Sequence, residues 1–163
     1  MTCCAFIALG SNLQDPVAQV QQAFLELDQL PGTRIVARSP LYWSVPVGYD
    51  NQPDFINGVA EVATDLLPQD LLQLLLALEA SHGRERPFSN APRELDLDLL
   101  LYGELTLHEA ALTLPHPRMH ERGFVLYPLA DIAPDINIPG KGKVAELLLA
   151  CPDLGVGLRK LAA

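Results

Sequence analysis

The chain carries 163 residues, nearly half of them hydrophobic, and a formal net charge of −9 at pH 7. That length fits one domain, residues 1–163, with a proper core, and the acidity argues against a nucleic-acid partner, whose phosphate backbone demands a basic surface. No apolar stretch approaches the ~20 residues of a membrane span, and the odd set Cys3, Cys4 and Cys151 lacks metal-ligand spacing, which fits a reduced, cytoplasmic compartment.

The first strand is expected over residues 3–9. Its approach has no basic n-region, so it reads as a strand rather than a signal peptide. Asp15 and Pro16 then supply an N-cap and a first-turn proline. Val17, Val20, Phe24, Leu27 and Leu30 recur at helical spacing until Pro31-Gly32 stops the helix. Residues 34–42 are rich in β-formers, and 44–54 read as a Pro/Gly loop. A further strand is expected over 55–64, with Phe55, Asn57, Val59, Glu61 and Ala63 on one face. Pro68 opens a leucine-rich helix that runs to about Ser81, with Gly83 as its C′ residue. Residues 84–94 hold two prolines and little periodicity and read as a loop. The β-α-β-β-α-β order is that of a ferredoxin-like α+β fold, an antiparallel sheet with two helices on one face. Beyond Gly103 a C-terminal extension is expected, with short helices over 124–132 and 144–151 and an edge strand near 136–138.

The densest chemical signal is Asp96-Leu97-Asp98, followed by Leu99-Leu100-Leu101-Tyr102. On a strand both acids share one face, with Cβ atoms roughly 6.5–7 Å apart, and Leu95, Leu97, Leu99 and Leu101 point to the other. Two such carboxylates suit one or two hard divalent cations. Five of the eight arginines, Arg84, Arg86, Arg93, Arg118 and Arg122, crowd the same stretch. Acids for a cation and arginine forks for phosphate oxygens together suggest phosphoryl transfer. Neither G-x-x-x-x-G-K-[ST] nor G-x-G-x-x-G occurs, so phosphate would be held by arginine and metal.

Four segments carry a resemblance. Gly10-Ser11-Asn12-Leu13, Asn51-Gln52-Pro53-Asp54-Phe55-Ile56-Asn57, Pro92-Arg93-Glu94-Leu95-Asp96-Leu97-Asp98 and Leu114-Pro115-His116-Pro117-Arg118-Met119-His120-Glu121-Arg122-Gly123-Phe124 resemble, in order and spacing, the 6-hydroxymethyl-7,8-dihydropterin pyrophosphokinases. The resemblance covers essentially the whole chain. It implies a ferredoxin-like enzyme of folate biosynthesis that moves pyrophosphate from ATP to the hydroxymethyl group of a reduced pterin and releases AMP. It further implies that Asp96 and Asp98 hold two Mg²⁺ ions, and that Arg84 and Arg93 act on the phosphates. Glu79, Arg86, Leu99, Thr113, His116 and Arg122 are then the further ATP contacts. Phe55 and Phe124 would sandwich the pterin, with Asn57 and the backbone of Ser44, Val45 and Val47 along its edge.

The chain also departs from the family pattern. Ser89-Asn90 stands where an Arg-Trp pair is common, Ser44-Val45 where Thr-Pro is, and Leu76 and Ala111 replace polar or basic residues. A monomer is expected, with ATP and a pterin as its partners and neither membrane nor nucleic acid. The competing readings are an ordinary kinase and a non-catalytic ferredoxin-like module that binds a divalent ion.

Overall fold

A strand–helix rhythm fills the first hundred residues. The structure, a computed structural model, describes residues 2–13, 15–44, 54–83, 95–151 and 158–161. β1 (Cys3–Ser11) leads into α1 (Pro16–Leu27), and Asp15 caps that helix, its Oδ1 accepting the Ala18 N–H at 3.3 Å. The β-rich stretch expected over 34–42 divides into β2 (Thr33–Arg38) and β3 (Tyr42–Ser44). Pro40 has no N–H to give a ladder. Ser39 pins the break: its N–H donates to the Val59 carbonyl and its Oγ accepts the Val59 N–H, each at 2.9 Å. Both halves pair with β4 (Phe55–Thr64). α2 (Pro68–Ser81) ends before Gly83, whose φ of 80° is the left-handed conformation expected after a helix. β5 (Asp96–Tyr102) follows.

The later chain holds two short hairpins, β6 (Leu107–His108) with β7 (Thr113–Leu114) and β8 (Asn137–Ile138) with β9 (Gly142–Lys143). Between and after them lie α3 (Gly123–Ile132), α4 (Val144–Ala150) and β10 (Leu158–Lys160). The strand expected near 136–138 is therefore one arm of a separate hairpin, not an edge of the main sheet. Its tight return is made at Gly140 and Gly142, both at positive φ. The edge position belongs to β10, which pairs with β3.

The main sheet is antiparallel, in the order β10–β3–β4–β1–β5 with β2 also on β4. One face buries Ile7, Leu9, Leu97 and Leu99 against Phe24 and Leu27 of α1 and Leu71 and Leu75 of α2. Gly58 lets α1 seat closely, since a methyl there would lie 3.1 Å from the Phe24 ring. The other face buries Phe6, Ala8, Val59 and Leu100 against Val125, Leu126 and Leu129 of α3 and Val144 of α4. The C-terminal helices thus cover the second face of the sheet. Leu101 departs from the expected alternation and joins Leu100 on the α3 side. The cause is a one-residue slip: Ile7 pairs with Leu99 but Phe6 pairs with Leu101, so the period of two breaks at that bulge.

Candidate active site

Strand register brings the candidate residues into one row. Tyr42 of β3 pairs with Asn57 of β4, Asn57 with Gly10 of β1, and Gly10 with Asp96 of β5. Residues directly opposite in an antiparallel ladder share a face, so this row lies on the α3 side. Phe55, opposite Ser44, and Asp98, opposite Ala8, flank it on the same face. The expected alternation of Phe55 with Asn57 and of Asp96 with Asp98 is what the strands deliver.

The residues expected at a pterin are mutually braced. Ser44 Oγ donates to Asn57 Oδ1 at 2.5 Å, and both residues are buried. Asn57 Nδ2 is thereby turned toward Gly10. A Cβ built on Gly10 would stand 3.1 Å from Nδ2 and 3.9 Å from the Phe55 ring. Gly10 therefore leaves room for the amide and the ring to lie close over β1. Sequence reasoning gave this glycine no role, because its importance lies in its register with two neighbouring strands. Half-buried Phe124 lies in the first turn of α3, and the Arg122 guanidinium sits 5.6 Å from its ring centroid, a cation–π contact.

Among the residues expected at the nucleotide, Glu79 is only 3 % exposed, and its Oε2 accepts the Leu97 N–H at 2.7 Å. A carboxylate from α2 thus grips the backbone between the two acids, while β1 pairs with β5 along its other edge. Leu99 buries its side chain in the helix-side core, on the face opposite Asp96 and Asp98. Thr113 is half-buried on β7. Arg84, Arg86, Arg93, Val45 and Val47 lie outside the described residues.

His116 is fixed by two hydrogen bonds. Its N–H donates to the Leu100 carbonyl at 2.9 Å, and its Nδ1 accepts the Arg118 N–H at 3.2 Å. In the neutral ring the proton therefore sits on Nε2, as a donor. Burial pushes its pKa down to about 4, helped by the Arg122 and Arg118 guanidinium groups and opposed by Asp96. That coupling sets His116, Asp96, Arg122 and Arg118 within one electrostatic neighbourhood. Arg118 is exposed; the sequence placed it in the arginine-rich stretch around the two acids but gave it no contact of its own.

A pH dependence follows. The unfolded ring binds a proton near pH 6.5 and the folded ring near 4, so between those values the unfolded state holds more protons. The protein should lose stability as pH falls through that window. His116→Gln should flatten this part of the acid limb in urea midpoints measured without metal at about pH 7 and about pH 4.5. A variant whose midpoint falls as steeply as that of the unaltered chain would remove His116 as the cause.

Asp96 and Asp98 are both half-buried, and their donor atoms are all oxygen, which suits a hard cation. Among the described residues no group of three His, Cys, Asp or Glu side chains is placed to hold a metal.

The family model for 7,8-dihydro-6-hydroxymethylpterin-pyrophosphokinase (HPPK) matches residues 6–134. The chain is 51% identical over 151 residues to a Pseudomonas aeruginosa 2-amino-4-hydroxy-6-hydroxymethyldihydropteridine pyrophosphokinase, covering 93% of each. It is 44% identical over 144 residues to the Haemophilus influenzae protein of that name, covering 88% of this chain and 90% of the relative. A crystal structure of Plasmodium falciparum HPPK-DHPS shares the fold, with a TM-score of 0.77 at 14% identity. All of this chain is covered there but only 46% of the other, so the chain spans about half the length of that protein. By sequence along most of its length, the chain belongs to the 7,8-dihydro-6-hydroxymethylpterin-pyrophosphokinase family.

Proposed function

We propose that this protein transfers the pyrophosphoryl group of ATP to the hydroxymethyl oxygen of 6-hydroxymethyl-7,8-dihydropterin, forming the pterin diphosphate and releasing AMP, in folate biosynthesis. The observation that carries this reading is the row Asn57–Gly10–Asp96, which joins a polar, aromatic pterin-side wall to a carboxylate pair on one sheet face. A flat heteroaromatic needs stacking faces and a hydrogen-bonding edge. Phe55 and Phe124 supply the first, and Asn57, oriented by Ser44, supplies the second. Val45 and Val47 complete that edge in this reading.

Asp96 and Asp98 would hold two Mg²⁺ ions, which supply charge neutralisation and alignment for in-line displacement at phosphorus. In that displacement the new bond forms between the hydroxymethyl oxygen and the β-phosphorus of ATP, and the bond from the β-phosphorus to the oxygen of AMP breaks. Glu79 keeps the two acids in place through the backbone between them. His116, neutral at working pH, donates from Nε2 without adding charge, while Arg122, Arg84 and Arg93 meet phosphate oxygens, with Arg86 as an auxiliary. Leu99 and Thr113 border the adenine and ribose.

Other features support the finer reading. The βαββαβ order through β5, with β2 and β3 sharing one strand position beside β4, fits a ferredoxin-like core with a C-terminal extension. The acidic charge disfavours nucleic acid, and no helix among the described residues is long and apolar enough to cross a membrane. The three free cysteines fit a cytoplasmic setting. Among the described residues the large exposed apolar side chains, Leu25, Val36, Leu67, Leu105 and Leu149, sit on different elements of the chain, which supports the monomer reading.

The nucleotide product decides the reaction. Incubated with ATP, Mg²⁺ and the reduced pterin, the protein should release AMP in step with pterin diphosphate. ADP would mark an ordinary kinase, and no turnover a binding module.

A further inference from the structure

Away from the acids, a second polar cluster ties three parts of the chain together. The Tyr42 hydroxyl, on a side chain only 5 % exposed, donates to Asp131 Oδ2 in the last turn of α3. The other oxygen, Asp131 Oδ1, faces Lys160 Nζ of β10 at 3.4 Å. Lys160 Nζ also stands 5.6 Å from the centre of the Tyr42 ring, opposite Tyr42 in the β10–β3 ladder. Tyr127, one turn before Asp131, brings its ring to 6.3 Å from that of Tyr42. The Tyr42 hydroxyl is held protonated by this setting: burial raises its pKa most, and the bond to Asp131 raises it further.

Position gives the cluster its meaning. Phe124, Tyr127 and Asp131 stand at i, i+3 and i+7, one stripe of α3 spanning about 10 Å at 1.5 Å per residue. One end of that stripe holds Tyr42, and the other carries Phe124. Tyr42 in turn lies in register with Asn57 and two residues before Ser44, whose hydroxyl orients the Asn57 amide. The elements that the cluster joins, β3 and α3, are thus those that bring Ser44 and Phe124 to the pterin side.

We propose that Tyr42, Asp131 and Lys160 form a clamp that fixes α3 against β3, so that Tyr42 and Asp131 are positioning residues for pterin binding. This rests on the pterin reading given above. The clamp acts on the spacing between the Phe124 ring and the Ser44–Asn57 pair. It lies away from Asp96, His116 and Glu79, so its loss should weaken the pterin and spare the nucleotide. It also gives β10, a strand of three residues with no acid or arginine of the site, a reason to pair with β3.

The test separates positioning from plain stability. Tyr42→Phe removes only the hydroxyl, Asp131→Ala removes the acceptor, and Asp131→Asn keeps an oxygen for Tyr42 while losing the charge facing Lys160. Dissociation constants for the reduced pterin and for a non-hydrolysable ATP analogue would be measured on the full chain. Trp43, the chain's one tryptophan and Tyr42's neighbour on β3, serves as a fluorescence reporter. Tyr42→Phe and Asp131→Ala should each weaken pterin binding about tenfold, the scale of one lost charge-assisted hydrogen bond. The ATP analogue should stay within about twofold, and Asp131→Asn should regain most of the pterin affinity. A fall in melting temperature with unchanged pterin affinity in Tyr42→Phe would overturn the proposal, as would parallel losses for both ligands. Should Asp131→Ala fail to fold, Tyr42→Phe and Asp131→Asn still decide it. If the unaltered chain releases no pterin-dependent AMP, both the clamp and the reading beneath it fall; if it does, only the clamp is at stake.

Discussion

Alanine at either Asp96 or Asp98 is expected to cut AMP release on the order of 10²-fold or more, the scale of losing one preorganised stabilising group. The strand geometry is why both should matter. β5 is held from two sides, by the β1 ladder and by Glu79 on the Leu97 N–H at 2.7 Å, so neither carboxylate can easily shift to cover for its neighbour. Metal affinity should fall with turnover, because the described residues bring no third acid to the pair. Asp70, an exposed acid in the first turn of α2, is the matched control, and Asp70→Ala should leave turnover near that of the unaltered chain. Near-normal AMP release from both Asp96→Ala and Asp98→Ala would sink the metal assignment. Low turnover with unchanged Mg²⁺ affinity would instead make the acids catalytic by some other route.

How much of this could be read from residues alone depended on whether the signal was local. The period of two that sets Asp96 beside Asp98, and Phe55 beside Asn57, is local, and so is the Asp15-Pro16 start of α1. The role of Gly10 is not, because it arises only when β1 lies between Asn57 and Asp96. The Ser44–Asn57 bond likewise needs the register of β3 on β4, across 13 residues. Leu101 went astray because the bulge opposite Phe6 breaks an alternation that the sequence carries unbroken. The resemblance gives Glu79 as an ATP contact; its bond to the Leu97 N–H, which braces the strand carrying Asp96 and Asp98, has no local signal because it needs α2 to lie on β5. β10 left no readable trace, since three residues have no period and their partner Tyr42 is more than a hundred positions away. The resemblance supplied the site list; the register explains why Ser44, Phe55, Asn57, Asp96 and Asp98 share one face.

Phe124 offers the sharpest test of the pterin wall, because the structure gives it two jobs that can be told apart. Its ring packs partly against the α3-side core and also lies under the Arg122 guanidinium at 5.6 Å. Phe124→Ala removes stacking, cation–π contact and core packing together. Phe124→Leu keeps most of the apolar volume and removes only the two aromatic contributions. If the ring stacks on the pterin, both variants should weaken pterin binding by about 1–3 kcal/mol. The Arg122 contact adds a smaller, separate effect: with the ring gone, the guanidinium is less well held, and ATP affinity should fall by about 0.5–1 kcal/mol at most. Stability should divide the variants the other way, with Phe124→Ala melting clearly lower than Phe124→Leu, because burial of the side chain is what leucine preserves. Titrations of the reduced pterin and of a non-hydrolysable ATP analogue, beside thermal melts, measure all three. A Phe124→Leu protein that folds normally and binds the pterin as tightly as before would reduce Phe124 to a core residue, and the sandwich would lose one of its walls.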